Sequence, residues 1–277
     1  MTAAGPGNMA PLAAPPWPVL QAPAHWQRLD FISDLHLQAS EPATFNAWQH
    51  FMQTTQADAV FILGDLFEVW VGDDVLQTPG FEARCAQILK AASQRLSIFL
   101  LHGNRDFLLG AAFAQAGGLT LLHDPSVLGF AGQRWLLSHG DALCLEDTDY
   151  LQFRAVVRSP AWQENFLSQP LAQRQQLAQD MRKQSETHKR SGVPYADVDE
   201  AMSCDWLHKA QANTLIHGHT HKPADHPMAD GLHRIVLSDW DAGATPARAE
   251  VLRLSAPAVD PTGGSVVQRL AAARHVV

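Results

Sequence analysis

Short apolar runs alternate with apolar stripes at helical spacing along most of this chain. Leu29–Ser33, following Arg28, reads as a strand. Phe45, Trp48, Phe51 and Met52 then recur three and four residues apart, the stripe of a helix, with Ser40 as its expected N-cap and Pro42 in its first turn. Val60–Leu63 reads as a buried strand, Phe81, Cys85, Ile88 and Leu89 as a second helical stripe, Leu96–Leu101 as a third strand and Phe107–Gln115 as a further helix. Strand and helix alternate, the rhythm of an α/β protein.

Val127–Phe130 and Arg134–Ser138, separated by Ala131-Gly132, predict a hairpin and hence a mixed sheet. From about Glu146 to Ser203 strand signals vanish. Leu151, Phe153, Val156, Val157, Trp162, Phe166, Leu171, Leu177 and Met181 punctuate a helical stretch, read as an insertion over 146–203. Strands return at Thr214–Ile216, Arg234–Leu237 and Ala249–Leu252. The core domain is therefore expected over 28–254, between an Ala/Pro-rich, disordered extension (1–27) and a C-terminal tail (255–277). Residues 1–24 contain no Lys or Arg, so the basic start of a secretory signal is missing.

Composition narrows the class. A chain of 277 residues, 46% hydrophobic and 17% charged, can bury a full core as one domain with an insertion, and no tract of ~18 apolar residues is present to span a bilayer. The formal net charge of −8 lacks the broad positive field that holds nucleic acid by its phosphates. Cys85, Cys144 and Cys204 are odd in number and widely spaced, which suits a reducing cytosol and buried apolar roles. Histidine, with 14 copies, is the anomaly.

Several of those histidines fall in short clusters at strand ends, the edge where α/β folds bind ligands. The clusters are Asp34-Leu35-His36, Gly64-Asp65, Gly103-Asn104-Arg105-Asp106, Ser138-His139-Gly140-Asp141 and Gly218-His219-Thr220-His221. Side chains two apart in extended backbone point the same way, so Asp34 with His36, and His219 with His221 if their loop is extended, are each half of a metal site. Oxygen and imidazole donors without thiolate favour Mn²⁺, Fe²⁺ or Zn²⁺ at a reactive site over a structural zinc. Two ions ~3.5–4 Å apart need a bridging carboxylate, for which Asp65 is the candidate. The glycines are expected to let the chain turn where a side chain would crowd the ions. His102 and His217 are expected to pack at strand ends, and Asp73-Asp74 to form a solvated turn or, alternatively, to meet a nucleotide or support metal-binding side chains.

This pattern of DxH, GD, GN(H/R)D, H and GHxH resembles the calcineurin-like metallophosphoesterases. GDLFEVWVGDD (Gly64–Asp74), HGNRDFLLG (His102–Gly110), SHGDALC (Ser138–Cys144) and IHGHTHKP (Ile216–Pro223) are similar to the branch that cleaves UDP-2,3-diacylglucosamine in lipid A biosynthesis. The likeness runs from about Leu29 to Trp240. It implies a four-layer α/β/β/α metallophosphoesterase sandwich with a helical lid insertion, and two Mn²⁺ ions per chain. One ion would be held by Asp34, His36, Asp65 and His221, the other by Asp65, Asn104, His139 and His219. Asp65, Asn104, Arg105 and His139 would be catalytic, and Asn104, Arg105, Asp147, Ser185, Lys189 and His219 would meet the substrate. Arg182 falls where the family also closes the pocket, and Lys189 is expected to replace a family contact, because Glu186-Thr187-His188-Lys189-Arg190 departs from the usual spacing after Ser185.

Arg105 bears on the reaction independently. An arginine cannot be deprotonated, so it cannot serve as a general acid, and the leaving group must depart unaided. A phosphate monoester, with a second pKa of ~6, does so where a sugar alkoxide would not. Arg105 thus fits anhydride cleavage, and the reaction that the resemblance implies is cleavage of the pyrophosphate to UMP and 2,3-diacylglucosamine 1-phosphate, with water expected to attack the uridine-side phosphorus. Arg105 would clamp phosphate oxygens, or pair with Asp106. Asp106 and Asp141 are expected either to orient metal-binding side chains by hydrogen bonds or to form turns.

Between Thr148 and Gly192 the chain carries seven Lys and Arg against four Asp and Glu, reversing the overall sign. A basic, amphipathic lid suits an anionic nucleotide-lipid and the anionic cytoplasmic face of an inner membrane, met peripherally by a cytoplasmic monomer. The competing readings are a two-metal enzyme acting on another nucleotide diphosphate and a non-catalytic scaffold of the same fold.

Overall fold

The computed structural model describes residues 16–190, 197–257 and 265–272, without the side chains of 182–190. Its strands form two six-stranded mixed sheets. The first contains β2 (Arg28–Ile32), β3 (Ala59–Leu63), β4 (Ser97–Leu101) and β5 (Thr120–Leu121), all parallel, extended antiparallel by β11 (Glu250–Ser255) and β12 (Val266–Ala271). The second runs in the order β1 (Val19–Gln21), β6 (Ser126–Phe130), β7 (Gln133–Leu137), β8 (Thr214–His217), β10 (His233–Val236) and β9 (Ala224–Pro227). Within it β7, β8 and β10 are mutually parallel, while β6 and β7 make the expected hairpin.

The period-2 alternation of strands sends neighbours to opposite faces, and here both faces are covered. Phe31, Phe61 and Phe99 are paired in register and stack at 4.9 and 4.8 Å between the sheets, against Leu128, Trp135 and Ile216 of the other sheet. Their neighbours Ile32, Ile62 and Leu100 face outward to α1 (Pro42–Thr54), α2 (Phe81–Ala92) and α3 (Ala111–Gly117). The second sheet's outer face, with Val127, Leu136 and Leu215, packs on Leu207 and Ala210 of α7 (Glu200–Ala210). The result is the α/β/β/α order expected of the fold class. All five residues of β3 are buried, which is why its sequence is an unbroken apolar run rather than an alternating one.

Three local expectations are corrected. α1 is N-capped at Glu41 rather than Ser40, with Pro42 in its first turn. Helix α3 starts at Ala111, four residues after Phe107, because the backbone at Gly110 is extended, with φ −118° and ψ −167°, and Gly110 has no side chain to cap the helix itself. Asp73 supplies the missing cap from another loop: it accepts from the backbone N of Gly110 at 3.0 Å and of Phe113 at 2.9 Å. Asp73-Asp74 is thus no solvated turn, since Asp74 pairs with the buried guanidinium of Arg174.

Arg174 belongs to α6 (Leu171–Arg190), which with α4 (Thr148–Val157) and α5 (Pro160–Leu167) forms the strand-free stretch; the start of α7 also falls within 146–203. Arg174 also donates to the carbonyls of Val71 and Gln169, fastening the base of α6 to the core. The sheets extend beyond 28–254: Val19–Gln21 pairs parallel with β6, and Val266–Ala271 pairs antiparallel with β11. Such edge strands bury little, so they carry no strong apolar pattern to read. Residues 1–15 of the expected extension, 191–196 of the insertion, and 258–264 and 273–277 of the tail lie outside the described residues.

The stacked phenylalanines fix the distance between the two sheets. Phe61→Ala is expected to cost about 3–5 kcal/mol, seen as a lower urea midpoint at unchanged m-value. A loss below about 1 kcal/mol would show that this stack does not hold the sheets together.

Candidate metal centre

The parallel strands deliver five loops to one edge of the paired sheets. Asp34 and His36 follow β2, Asp65 follows β3, Asn104 follows β4, His139 follows β7, and His219 and His221 follow β8. Three of the five loops carry their donors on sharply turned backbone. Asp34, His36, Asp65, His219 and His221 have φ of 53°, 47°, 51°, 66° and 54°, the left-handed region that non-glycine residues avoid. Asp34 and His36 therefore converge by a folded-back backbone, not by the extended spacing expected from sequence. Their amides donate to the carbonyls of Gly64 at 3.1 Å and Asp65 at 3.0 Å, which stitches the first loop to the second. A Cβ on Gly103 would overlap the Asp65 carboxyl, and one on Gly218 the Asp34 carboxyl, so glycine here makes room for a donor.

The structure brings all seven expected donors together. Asp34, His36 and His221 have donor atoms within 4.8 Å of one another, and so do Asp34, Asp65 and His139. His36 Nε2 stands 3.4 Å from His221 Nε2, which stands 3.3 Å from Asp34 Oδ1. Asn104 Oδ1 lies 3.1 Å from His139 Nε2 and 3.0 Å from His219 Nδ1, joining the last two to the second group. Asp34, not Asp65, is common to both triads of this set.

Donors held ~2.1 Å from one ion at tetrahedral or octahedral angles stand about 3.0–3.4 Å apart, the spacing of the four pairs just given, while His139 Nε2 and Asp65 Oδ2 stand wider at 3.8 Å. The electrostatics fit a cation as well. Burial pushes the Asp65 carboxyl up by more than the charges of His139 and His36 pull it down. Burial acts the same way on Asp34, but the hydrogen bond from His221 and the charges of His139, His221 and His36 outweigh it and hold that carboxyl well below the usual range. His139 is disfavoured as a cation by burial, yet the charges of Asp65, Asp34 and Asp141 raise it to about 9. Burial and the neighbouring His139 charge push His219 down to about 3.

Glu68 was not legible as a site residue, although it lies three residues after Asp65. Its Oε2 faces His36 Nδ1 at 3.1 Å and its Oε1 faces Arg105 Nη1 at 3.3 Å. It therefore orients His36 so that Nε2 points to the donor cluster, and places the Arg105 guanidinium beside it. Arg105 does not pair with Asp106. Asp106 is fully buried and accepts from the backbone N of Leu66 at 2.7 Å and of Gly103 at 2.8 Å, tying two donor loops together. Asp141 accepts from Tyr150 and Arg154 of α4. Behind His221, Asp239 stands 4.0 Å from Nδ1 and is held by Arg248 at 2.9 Å. Asp147 caps α4, accepting from Tyr150 N at 3.1 Å. Arg182, Ser185 and Lys189 lie on α6, and their side chains fall outside the described residues. His102 bonds to the Leu109 carbonyl at 2.7 Å and His217 to that of Gly218 at 2.8 Å, at the strand ends where packing roles were expected.

Two facing mixed sheets, helices outside them and a cluster of carboxylate, amide and imidazole donors on their shared edge define a metal-dependent phosphoesterase. Residues 27–223 match the model of the calcineurin-like phosphoesterases, and the chain belongs to that family. It is 44% identical over 230 residues to the UDP-2,3-diacylglucosamine hydrolase of Cellvibrio japonicus, covering 78% of this chain and 95% of that protein. The protein of the same name from Stutzerimonas stutzeri is 45% identical over 217 residues, 76% of this chain and 90% of its own. Among solved structures, a dimetal phosphatase from Danio rerio aligns over 90% of this chain and 97% of its own with a TM-score of 0.44 and 10% identity, too distant to bear on function.

His139 gives a pH signature to the metal-free chain. Its folded pKa of about 9 lies above the unfolded value of ~6.5, so its contribution is complete below pH ~6.5 and is lost as pH rises through ~9. Urea unfolding in excess chelator is expected to show a loss on the order of 3 kcal/mol across that window, abolished in His139→Asn. A flat profile in the wild-type chain would contradict the assignment.

Proposed function

We propose that the chain hydrolyses the pyrophosphate bond of UDP-2,3-diacylglucosamine, releasing UMP and 2,3-diacylglucosamine 1-phosphate. In this reading Asp34, His36, Asp65 and His221 hold one Mn²⁺, and Asp65, Asn104, His139 and His219 hold the other, with Asp65 shared, while Asp34, common to both close triads, stands between the two groups. The observation that carries it is the Arg105 guanidinium, held by Glu68 beside the donor cluster, in a chain 44% identical to a UDP-2,3-diacylglucosamine hydrolase over 95% of that protein's length.

Bound divalent ions would supply Lewis acidity toward phosphate oxygens and lower the pKa of water at the site. The chain's own groups do the rest. Arg105 offsets phosphate charge and donates to its oxygens, but transfers no proton, which restricts the reaction to a leaving group that departs as an anion. A phosphate monoester meets that condition. Glu68 keeps His36 and Arg105 in register, so donor and phosphate clamp are set by one carboxylate. Asn104 and His219 face the same volume and are proposed to touch substrate along with Asp147, Ser185 and Lys189 of the insertion.

The insertion 146–203 serves as a lid over the lipid. Its exposed Phe153, Val156, Leu167, Leu177 and Met181 support an apolar ligand and peripheral contact with the cytoplasmic face of the inner membrane. No helix among the described residues is long and apolar enough to cross a membrane. The protein works as a monomer and has no nucleic-acid partner in this reading.

Purified protein with Mn²⁺ is expected to release UMP from the diacylated UDP-sugar far faster than it cleaves a generic aryl phosphate, and Asp65→Ala to reduce that turnover by at least about 10³-fold. The reverse substrate preference, or an unaffected variant, would overturn the assignment. In ¹⁸O-labelled water the label is expected in UMP; label in the lipid phosphate would place the attack on the other phosphorus.

A further inference from the structure

The first helix of the insertion grips the donor loops through one stripe. Tyr150, Arg154 and Arg158 stand four residues apart along α4 and its C-cap, so they share a face. Tyr150 Oη donates to Asp141 Oδ2 at 2.5 Å, and Arg154 Nε donates to the same oxygen at 2.8 Å. Arg158 Nη2 donates to the Gly103 carbonyl at 2.8 Å and stands 3.7 Å from Asp141 Oδ2. The Tyr150 ring lies over the His219 imidazole, with centroids 6.1 Å apart and planes 28° apart.

All three contacts end where donors of a single ion are carried. Asp141 is two residues past His139, Gly103 immediately precedes Asn104, and His219 faces the Tyr150 ring. Asp141 is completely buried, so without the α4 donors it would be a desolvated anion beside His139, and the loop would have to rearrange to rehydrate it. The loops are short and already strained at His219, so a shift of this kind moves the donors themselves.

We propose that α4 is a positioning element of the reaction centre: the insertion, seated through Asp141, Gly103 and His219, sets the placement of Asn104, His139 and His219 and so completes the site of one ion but not the other. This rests on the two-ion reading above. Tyr150, Arg154 and Arg158 act through the donors, and lid seating and metal loading become one coupled event.

The test is Mn²⁺ binding to the metal-free full chain by chelator competition, which needs no turnover and resolves two dissociation constants. Arg154→Met is expected to raise one constant about 10- to 100-fold while leaving the other within about 2-fold. Tyr150→Phe, which keeps the ring but removes the hydroxyl, is expected to raise the same constant about 3- to 10-fold. Arg154→Lys restores a cation for a single contact and is expected to return that constant to within about 3-fold of wild type. Unchanged constants in both Arg154→Met and Tyr150→Phe would overturn the proposal, as would a parallel rise in both constants with a lowered melting temperature. A wild-type chain that binds no second Mn²⁺ would instead overturn the two-ion reading, and this proposal with it.

Discussion

Gathering groups that repel one another into one small volume is the constraint on which this molecule is built. Two buried carboxylates, four imidazoles and an amide oxygen converge, and their lone-pair repulsion is offset by contacts among themselves and by bonds from neighbouring groups, including Ser33 and the His219 amide to Asp34 and the Arg105 amide to Asp65. Five of these residues also hold left-handed backbone, each at a cost of about 1–3 kcal/mol. Neither condition survives in a loose loop. Both persist because every donor sits a few residues beyond a strand locked in a parallel ladder, with apolar layers on both sides.

The polar groups around the donors continue that rigidity outward. Asp106 joins the loops after β3 and β4 by accepting two buried amides, and Glu68 joins His36 to Arg105. Asp73 and Asp74 turn one surface dipeptide into two fasteners, one for the start of α3 and one for the base of α6. The Arg105 guanidinium, the donor cluster and the insertion are therefore held by a few carboxylates, each bridging two elements distant in sequence. A bridge of this kind is specific because a buried acid that loses one partner is left desolvated.

Much of this was legible in the residues. The unbroken apolar run of β3 and the stripe of α1 reflect burial, which depends on local pattern, and they placed the core accurately. The clusters around Asp34, Asp65, Asn104, His139 and His219 stood out because side chains with metal-binding chemistry recur beside glycine at strand ends. Less legible were Glu68, whose role lies in facing His36 and Arg105, and the edge strands β1 and β12, which bury too little to leave a pattern. Asp73 looked like a solvated turn because the amides it caps lie about forty residues away.

By itself the sequence determined the α/β rhythm, the helical insertion and the kinds of donor atom available, since those follow from hydrophobic periodicity and side-chain chemistry. Tertiary structure alone decided that the donors meet through left-handed turns rather than extended spacing, that Arg105 answers to Glu68 rather than to its neighbour Asp106, and that Asp141 fastens the insertion. Those outcomes depend on distances between segments far apart in the chain, and such distances exist only once both sheets have closed on each other.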